Sequence, residues 1–262
     1  ELNSNKVEWT IDIINIAPVK SLGLVHPSLV HVGESGIEED RRFHVVDEMG
    51  RLITQRQISK LVQVKVEYSI EPEHLVLCFP DGSRSEGIPK AGNPEETFMF
   101  GRTVSGCEVV GDFGPALSHF CGVPLRLIKS DIPCQSYDGY PVSIISRASI
   151  DQLNSEYRTS KPLDNRRFRP NFLIEGPTSH EEDLWLGKDL GIGTNLTLRV
   201  NARDPRCVIT THDPDTGVRD MDTLRAILSY RPDPKAAYFG VYGDVQSPGL
   251  VRVGDKVTLR NT

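Results

Sequence analysis

The sequence lacks the cysteine patterns that build disulfide frameworks or metal centres. Its cysteines are odd in number and widely spaced, and they include no Cys-x-x-Cys pair. These features argue against a disulfide scaffold, a zinc ribbon and an internal iron–sulfur cluster. They favour a reducing compartment, so we predict a cytoplasmic location. The five cysteines are Cys78, Cys107, Cys121, Cys134 and Cys207.

Long apolar runs are also missing. No stretch approaches the ~20 consecutive apolar residues that a membrane-spanning helix needs. Residues 1–6 are polar and hold no hydrophobic targeting core. We therefore predict no membrane segment in this chain, while a trimmed N-terminal anchor or targeting segment stays an open alternative. The formal net charge of -6 argues against a general nucleic-acid binder.

Several motifs of known enzyme classes have no counterpart. No two histidines have His-x-x-x-His spacing, which argues against a zinc hydrolase. Neither a Gly-x-Ser-x-Gly elbow nor a Walker loop is present. The glycine pair in 191–194 lacks the third glycine of a dinucleotide loop and is interpreted as a tight turn. The acidic pairs Glu38–Glu39 and Glu181–Glu182 are interpreted as solvated loop charges.

The sequence is rich in short, β-branched segments separated by turn residues, which is typical of a β-barrel or sandwich. Three amphipathic or capped segments predict helices over 113–121, 146–157 and 222–230. We predict a mainly β protein of the α+β class, with a domain change in the loop 131–140. The predicted strands are 9–17, 29–32, 43–47, 51–54, 62–70, 75–79, 102–110, 125–128, 141–145, 172–175, 197–200 and 208–211, with a final pair in 250–260.

Basic residues stand at three predicted strand ends. The loops are Lys20-Ser21, then Asp40–Arg42 together with Arg56-Gln57, and finally Arg166–Asn171. Guanidinium forks and a lysine ammonium suit phosphate, so the three loops together could form an anion pocket. The alternative is that each is a solvated charge or pairs with a nearby Asp or Glu.

The stretch 204–217 combines a cysteine, an arginine and a turn. Cys207 follows Arg206, and the run 208–211 predicts a strand that the turn Asp213–Gly217 closes. We therefore expect Cys207 at the beginning of a strand. A neighbouring guanidinium favours the thiolate, which attacks electrophiles or binds soft metals. The alternative is a small buried hydrophobe, which is the commoner role of a single cysteine.

These motifs, in this order, are similar to those of the MOSC family in its two-part form. The resemblance implies an N-terminal MOSC β-barrel domain over 7–130 and a MOSC domain, a pyruvate-kinase-like β-barrel, over 131–262. The branch most resembled is that of the amidoxime-reducing component and of bacterial reductases of N-hydroxylated compounds. The residues that carry the resemblance are Pro18–Ser21, Asp40-Arg41, Arg51–Gln57, Phe168–Asn171, Pro205–Cys207 and Asp213–Gly217.

What the resemblance implies is a molybdenum cofactor, molybdopterin with molybdenum bound by the Cys207 thiolate. Cys207 is also the expected catalytic residue. Gly139-Tyr140 stands where eukaryotic members carry smaller hydroxyl residues, and Asp204 stands where some relatives carry a small residue or cysteine. The expected cofactor-binding residues are Lys20, Ser21, Arg41, Arg56, Asp138, Gly139, Tyr140, Arg169, Asn171, Pro205, Arg206 and Tyr242.

The leading hypothesis from this resemblance is an oxidoreductase that reduces the N–O bond of small N-hydroxylated compounds. Electrons would come from a separate partner, a flavin reductase, ferredoxin or cytochrome b5 type protein. No motif assigns the proton donor, and Asp213 and Tyr242 are candidates by residue type alone. One alternative is a molybdenum-cofactor or sulfur carrier related to the C-terminal part of cofactor sulfurases. Another is a barrel that binds nothing.

Overall fold

Strands dominate the computed structural model of the chain, which describes residues 8–157 and 162–260. The predicted mainly β, α+β class is confirmed. The strands are β1 Trp9–Ile14, β2 Leu29–Gly33, β3 Gly36–Ile37, β4 Phe43–Val46, β5 Leu52–Ile53, β6 Lys65–Ser69, β7 His74–Cys78, β8 Arg84–Gly87, β9 Lys90–Met99, β10 Arg102–Val110, β11 Arg126–Ser130, β12 Val142–Ser146, β13 Phe172–Glu175, β14 Asp189–Ile192, β15 Leu196–Pro205, β16 Tyr238–Ser247, β17 Gly249–Arg252 and β18 Lys256–Arg260.

Helices are short and few. The α-helices are α1 Phe113–Cys121, α2 Arg147–Tyr157 and α3 Thr223–Tyr230, and 3₁₀ helices cover Ser59–Gln63, Asn165–Phe168, Glu181–Trp185 and Val208–Thr211. The side chain of Asp222 accepts a hydrogen bond from Arg225 N and so caps α3. Asp112 holds the corresponding position before α1, but its side chain makes no capping bond. Among the residues described, no helix is long and apolar enough to cross a bilayer.

Seven strands form a closed barrel, in the order β1-β13-β12-β16-β15-β14-β18. The first strand of the chain thus lies between β13 and β18 and pairs antiparallel with both. The barrel is filled by fully buried aliphatic and aromatic side chains, among them Ile11, Phe172 and Trp185. Because the N-terminal strand completes this barrel, the two halves of the sequence are interleaved. The boundary between 130 and 131 stays a prediction.

The remaining strands form three sheets, ordered β5-β4-β11-β10-β9, β17-β2-β3 and β6-β7-β8. A second core lies between the five-stranded sheet, the β6–β8 sheet and α1, and it contains Phe43, Leu77 and Leu117. A third cluster packs α2 and α3 against the barrel through Leu153, Ile227 and Phe239. Loops from the five-stranded sheet and from the barrel meet between the first two cores.

The prediction of a strand over 208–211 was wrong, and the strands β3, β8, β9, β14 and β16 were not predicted. The segment 208–211 is a 3₁₀ helix, because the hydroxyls of Thr210 and Thr211 donate to the carbonyls of Cys207 (3.0 Å) and Val208 (2.6 Å). Such local back-bonding competes with strand pairing. Strand β9 was not predicted, since it contains Gly92 and Pro94. Pro94 is tolerated because β9 is the edge strand of its sheet.

Glu182 does not belong to a solvated acidic pair, so that interpretation was wrong. Its side chain is 0% exposed and accepts hydrogen bonds from Ser146 Oγ at 2.9 Å and Ser149 Oγ at 2.7 Å. Burial raises the pKa of Glu182. The serines at the beginning of α2 provide the hydrogen bonds that make this burial tolerable. The sequence pattern alone did not show this arrangement.

Candidate functional site

A cavity of about 330 Å³, here called the basic cavity, opens where the loops of the two larger cores meet. Its volume lies in the range of small-molecule sites, roughly 300–1,000 Å³. The expected metal ligand and all of the expected cofactor-binding residues line it, whereas Asp213, a candidate proton donor, does not. The expected residues on the lining are Lys20, Ser21, Arg41, Arg56, Asp138, Gly139, Tyr140, Arg169, Asn171, Pro205, Arg206, Cys207 and Tyr242.

Cys207 lies after the end of β15 and immediately before the 3₁₀ helix Val208–Thr211, not at the beginning of a strand. Its thiol is free and only partly buried, which differs from a packed core cysteine. Burial lowers the pKa of Arg56, but contact with the Cys207 sulfur outweighs this and raises it. The sulfur therefore faces the cavity beside a guanidinium.

The three predicted basic loops converge at the cavity. Lys20 is 5% exposed, donates to Ser136 O at 2.8 Å and pairs with Asp138. Burial lowers the pKa of Lys20, although Asp138 opposes this shift. Burial would raise the pKa of Asp138, but Lys20 and Arg41 outweigh it and bring the value to about 2. Asp138 is therefore an ionised anchor for this lysine.

Positive charge exceeds negative charge around the cavity. Arg169 is partly buried, and within 8–157 and 162–260 no carboxylate lies at ion-pair distance from it or from Arg56. Burial and then Arg41 lower the pKa of Arg169 to about 10. Its Nη2 donates to Leu22 O at 2.7 Å, but a charge held partly away from water with no opposite charge beside it remains costly. The lining cations are Lys20, Arg41, Arg56, Arg167, Arg169 and Arg206, and the lining carboxylates are Asp138 and Asp204.

Backbone strain is concentrated at this cavity. Ser21 has φ 73°, Arg41 has φ 47°, Phe100 has φ 48° and Arg169 has φ 49°, and all four residues line the cavity. The left-handed region costs a residue with a side chain about 1–2 kcal/mol. Such strain persists where surrounding structure holds it, and it clusters at functional sites. The observation supports a functional role independently of the charges.

Arg102 holds the loop 134–140 in place, although the sequence did not single it out. From the first residue of β10 its guanidinium donates to Asp138 O at 3.1 Å, Gln135 O at 3.0 Å and Tyr137 O. It also stacks 3.8 Å from the Tyr137 ring centre. The tip of the β9–β10 turn thus carries both the loop clamp and the cavity residue Phe100.

Two family models match the chain. The MOSC domain matches residues 118–258, and the MOSC N-terminal beta barrel domain matches residues 9–120. The chain belongs to the MOSC family. "Mitochondrial amidoxime reducing component 2" of Rattus norvegicus is 30% identical, over 95% of this chain and 82% of the relative. "Mitochondrial amidoxime-reducing component 1" of Homo sapiens is also 30% identical, with the same 95% and 82% coverage.

A solved structure, the YUAD protein from Bacillus subtilis, covers 97% of this chain and 96% of its own at 14% identity, with a TM-score of 0.46.

The side chains of the basic cavity fit an anionic cofactor bound through one thiolate. Arg206 Nη2 is buried and has no hydrogen-bond partner in the part of the chain that the structure describes. Arg56 and Arg169, which have no carboxylate partner among the described residues, lie on the same lining. No group of three or more His, Cys, Asp or Glu side chains among the described residues could hold a metal ion without further ligands. A metal at Cys207 would therefore need further ligands from outside these side chains, which a bound cofactor could provide.

Asn171 was expected to bind the cofactor of this MOSC protein, but its side chain has no free hydrogen-bonding group. Both amide protons of Asn171 are used, by Asp40 at 3.0 Å and Asn15 O at 3.3 Å. Its Oδ1 accepts from Ser143 N and Ser143 Oγ. An amide has four hydrogen-bonding positions, so Asn171 positions the loops instead of offering a vacant donor.

Several residues that line the basic cavity were not among the residues expected to bind a cofactor. Phe100 lies 4.8 Å from Lys20 Nζ and 5.5 Å from the Arg56 guanidinium carbon. It was missed because β9, and so its turn, was not predicted. Asp213 lies outside the lining, since its carboxylate caps its own turn by accepting from Thr216 N at 2.8 Å. The other lining residues outside the expected cofactor-binding set are Thr54, Ser143, Arg167, Phe168, Asp204, Ile209 and Thr210, of which Arg167 and Phe168 lie in the predicted basic loop 166–171.

Gly139 lies against the Tyr242 ring, where a side chain would not fit. A Cβ at this position would meet the Tyr242 ring at 2.9 Å. The Tyr140 and Tyr242 rings lie 5.9 Å apart and form one wall. The absence of a side chain at 139 therefore leaves room for the tyrosine pair on this side of the cavity.

Replacing Arg102 with alanine is expected to release the loop 134–140 and lower the free energy of unfolding by about 1.5–3 kcal/mol, the value of hydrogen bonds to a charged group. Hydrogen exchange at residues 135–138 should accelerate more than elsewhere. Arg84→Ala is the matched control, because Arg84 makes an exposed ion pair with Glu86. Equal exchange in both variants would contradict the clamp.

Proposed function

We propose that this MOSC protein is a molybdenum-cofactor-dependent oxidoreductase that reduces the N–O bond of small N-hydroxylated compounds such as amidoximes. The observation that carries the proposal is a free, partly exposed thiol in a cavity where cations outnumber carboxylates. A thiolate suits a soft metal, and guanidinium groups suit phosphate. The names of the relatives supply the substrate class.

The chain's residues divide into metal-binding and anion-binding roles in this proposal. Cys207 binds molybdenum, and Lys20, Arg41, Arg56 and Arg169 hold the pterin and its phosphate. The surrounding structure holds Ser21, Arg41 and Arg169 in left-handed backbone conformations before the cofactor arrives, which lowers the ordering cost of binding. When bound, the cofactor supplies two-electron reduction of the substrate.

Other residues shape the space for the substrate. Pro205 and Arg206 flank the ligand cysteine. Arg206 is held by hydrogen bonds to Phe239 O at 2.7 Å and Phe168 O at 2.9 Å. Asp138, Gly139 and Tyr140 contact the cofactor from the loop that Arg102 clamps. Tyr140 and Tyr242 provide an aromatic wall that excludes water from one side of the reacting bond.

Electrons come from a separate redox protein of the flavin reductase, ferredoxin or cytochrome b5 type. The word "component" in the relatives' printed names fits such a division of labour. The small N-hydroxylated substrate enters through the cavity mouth.

The decisive experiment combines metal analysis with an activity assay. Protein produced in a cofactor-competent host should contain near-stoichiometric molybdenum and reduce benzamidoxime with chemically reduced methyl viologen. Cys207→Ser should lose molybdenum by at least about 10-fold and lose the activity with it. Cys121→Ser is the matched control, because Cys121 is also free and partly buried but lies outside the cavity.

Each other outcome has a clear meaning. Wild-type protein without molybdenum would overturn the proposal. Molybdenum without benzamidoxime reduction would instead favour a cofactor carrier. Cys207→Ser with wild-type molybdenum content would remove Cys207 as the metal ligand.

A further inference from the structure

Asp204 is a buried carboxyl group on the lining of the basic cavity. The proposed binding of an anionic cofactor assigns it no role. Asp204 is 2% exposed and lies near the end of β15. The pairing of β15 with β16 shifts register between Arg203 and Pro205, so Asp204 occupies an irregularity of the strand. Bulges re-aim side chains and are frequent beside active sites. Here the irregularity places a carboxyl group on the lining that also holds Cys207.

The surroundings of Asp204 leave one of its oxygens without a donor. The charged and titratable groups that face it are Arg206, Tyr242, Asp138 and Arg41. Arg206 Nη1 lies 2.7 Å from Oδ2, yet Oδ2 has no partner with hydrogen-bond geometry among the described residues. A buried carboxylate oxygen without a donor is costly. A protonated carboxyl group, in contrast, can donate to an acceptor in the cavity.

The protonation equilibrium of Asp204 suits this geometry. Burial is the largest influence and raises the pKa of Asp204 to about 6, although Arg206 and the neighbouring Tyr242 hydroxyl lower it. A general acid works best when its pKa lies near the working pH. Asp204 therefore changes protonation close to neutrality.

We propose that Asp204 is the proton donor of the site and delivers a proton to the substrate oxygen as the N–O bond breaks, with the Tyr242 hydroxyl beside it on the same lining. This inference rests on the proposed function. The N–O bond accepts two electrons from the redox partner and two protons. The oxygen leaves as water with the proton from Asp204, and the nitrogen takes its proton from solvent. Asp204 is then protonated again by cavity water.

The first test is the pH dependence of kcat for benzamidoxime with reduced methyl viologen, expressed per bound molybdenum. Wild-type kcat should fall as pH rises through about 6, because the donor becomes ionised. Asp204→Asn should lower kcat about 10²–10⁴-fold and remove that dependence. Asp244→Asn is the matched control, since Asp244 lies on β16 outside the cavity and burial also raises its pKa.

Tyr242→Phe provides a second variant with a directional result. The Tyr242 hydroxyl beside Asp204 lowers the pKa of that carboxyl group. Its removal should move the fall of kcat to higher pH, an effect that loss of packing alone would not produce. An unchanged profile in this variant would overturn the link between the two residues.

The second test needs neither cofactor nor activity. The infrared band of the protonated Asp204 carboxyl, identified by its absence from Asp204→Asn, should disappear as pH rises through about 6. Because the folded-state pKa is raised above 3.8, the folded protein binds the proton more tightly than the unfolded chain. The stability of wild type relative to Asp204→Asn should therefore fall as pH rises from about 4 to about 6.

Contradicting outcomes separate this inference from the proposed function. A band that titrates near pH 4, or loaded Asp204→Asn with wild-type kcat and pH profile, would overturn the donor role and leave the reductase intact. Loaded wild-type protein that reduces no N-hydroxylated compound, with a band that still titrates near pH 6, would overturn the function and the donor role together.

Discussion

Replacing Asp40 with alanine is expected to lower the free energy of unfolding by about 3–5 kcal/mol, the cost of breaking a buried ion pair from one side. Asp40 is 0% exposed and pairs with Arg41. Its Oδ1 accepts from Ala17 N at 2.6 Å, and its Oδ2 accepts from Asn171 Nδ2 at 3.0 Å. The variant would leave the Arg41 guanidinium and two further donors without their acceptor.

Chemical denaturation measures this effect, with Glu86→Ala as the matched control. Glu86 pairs with Arg84, and both side chains are more than half exposed, at 55% and 53%. An exposed pair contributes about 0–1 kcal/mol. The Asp40 variant should also bind cofactor more weakly, because Arg41 is no longer fixed. Similar losses of stability in the two variants would show that the Asp40 network is not a structural anchor.

Gly240→Ala is expected to lower the free energy of unfolding by about 2–5 kcal/mol, the sum of left-handed strain and overpacking. Gly240 has φ 79° in β16. A Cβ there would meet Ile144 O at 2.6 Å, Ile145 Cγ1 at 2.6 Å and Arg206 Nη2 at 3.1 Å. Two of these contacts lie on the neighbouring barrel strand, and the third displaces the arginine beside Cys207.

Gly122→Ala isolates the steric part of this effect. Gly122 has almost the same φ, 77°, but a Cβ there would meet nothing within 4 Å. Its expected loss is therefore the strain alone, about 1–2 kcal/mol. The difference between the two variants, measured by denaturant unfolding, reports the clash. Equal losses would mean that β16 and Arg206 can shift without cost.

Local sequence pattern determined the strand-rich class and several elements accurately. The predicted bounds of α1, β10 and β13 agree with the structure at both ends. These elements have a clear apolar periodicity and end at turn residues or a left-handed glycine, as Gly122 shows for α1. The information that defines such elements lies within a few neighbouring residues.

Recurring motifs also pointed to the residues that line the basic cavity. Lys20, Arg41, Arg169 and Cys207 were singled out by residue type and by resemblance, and the fold brings them together. Their roles toward a cofactor stay predictions, which the molybdenum measurement tests. The sequence did not show that Asn171 would be saturated by protein contacts.

Only the tertiary structure decided how the site is held and how it could move a proton. Lys20 reaches Ser136 across 116 residues of sequence, and Asp40 meets Asn171 across 131. Arg102, Phe100 and Asp204 acquire their positions from such distant pairings, and no local periodicity encodes them. The sequence by itself thus determined the strand-rich class and a set of candidate residues. Burial, ion pairing and strand irregularity determined the environment of each one, because these depend on which distant segments the barrel brings into contact.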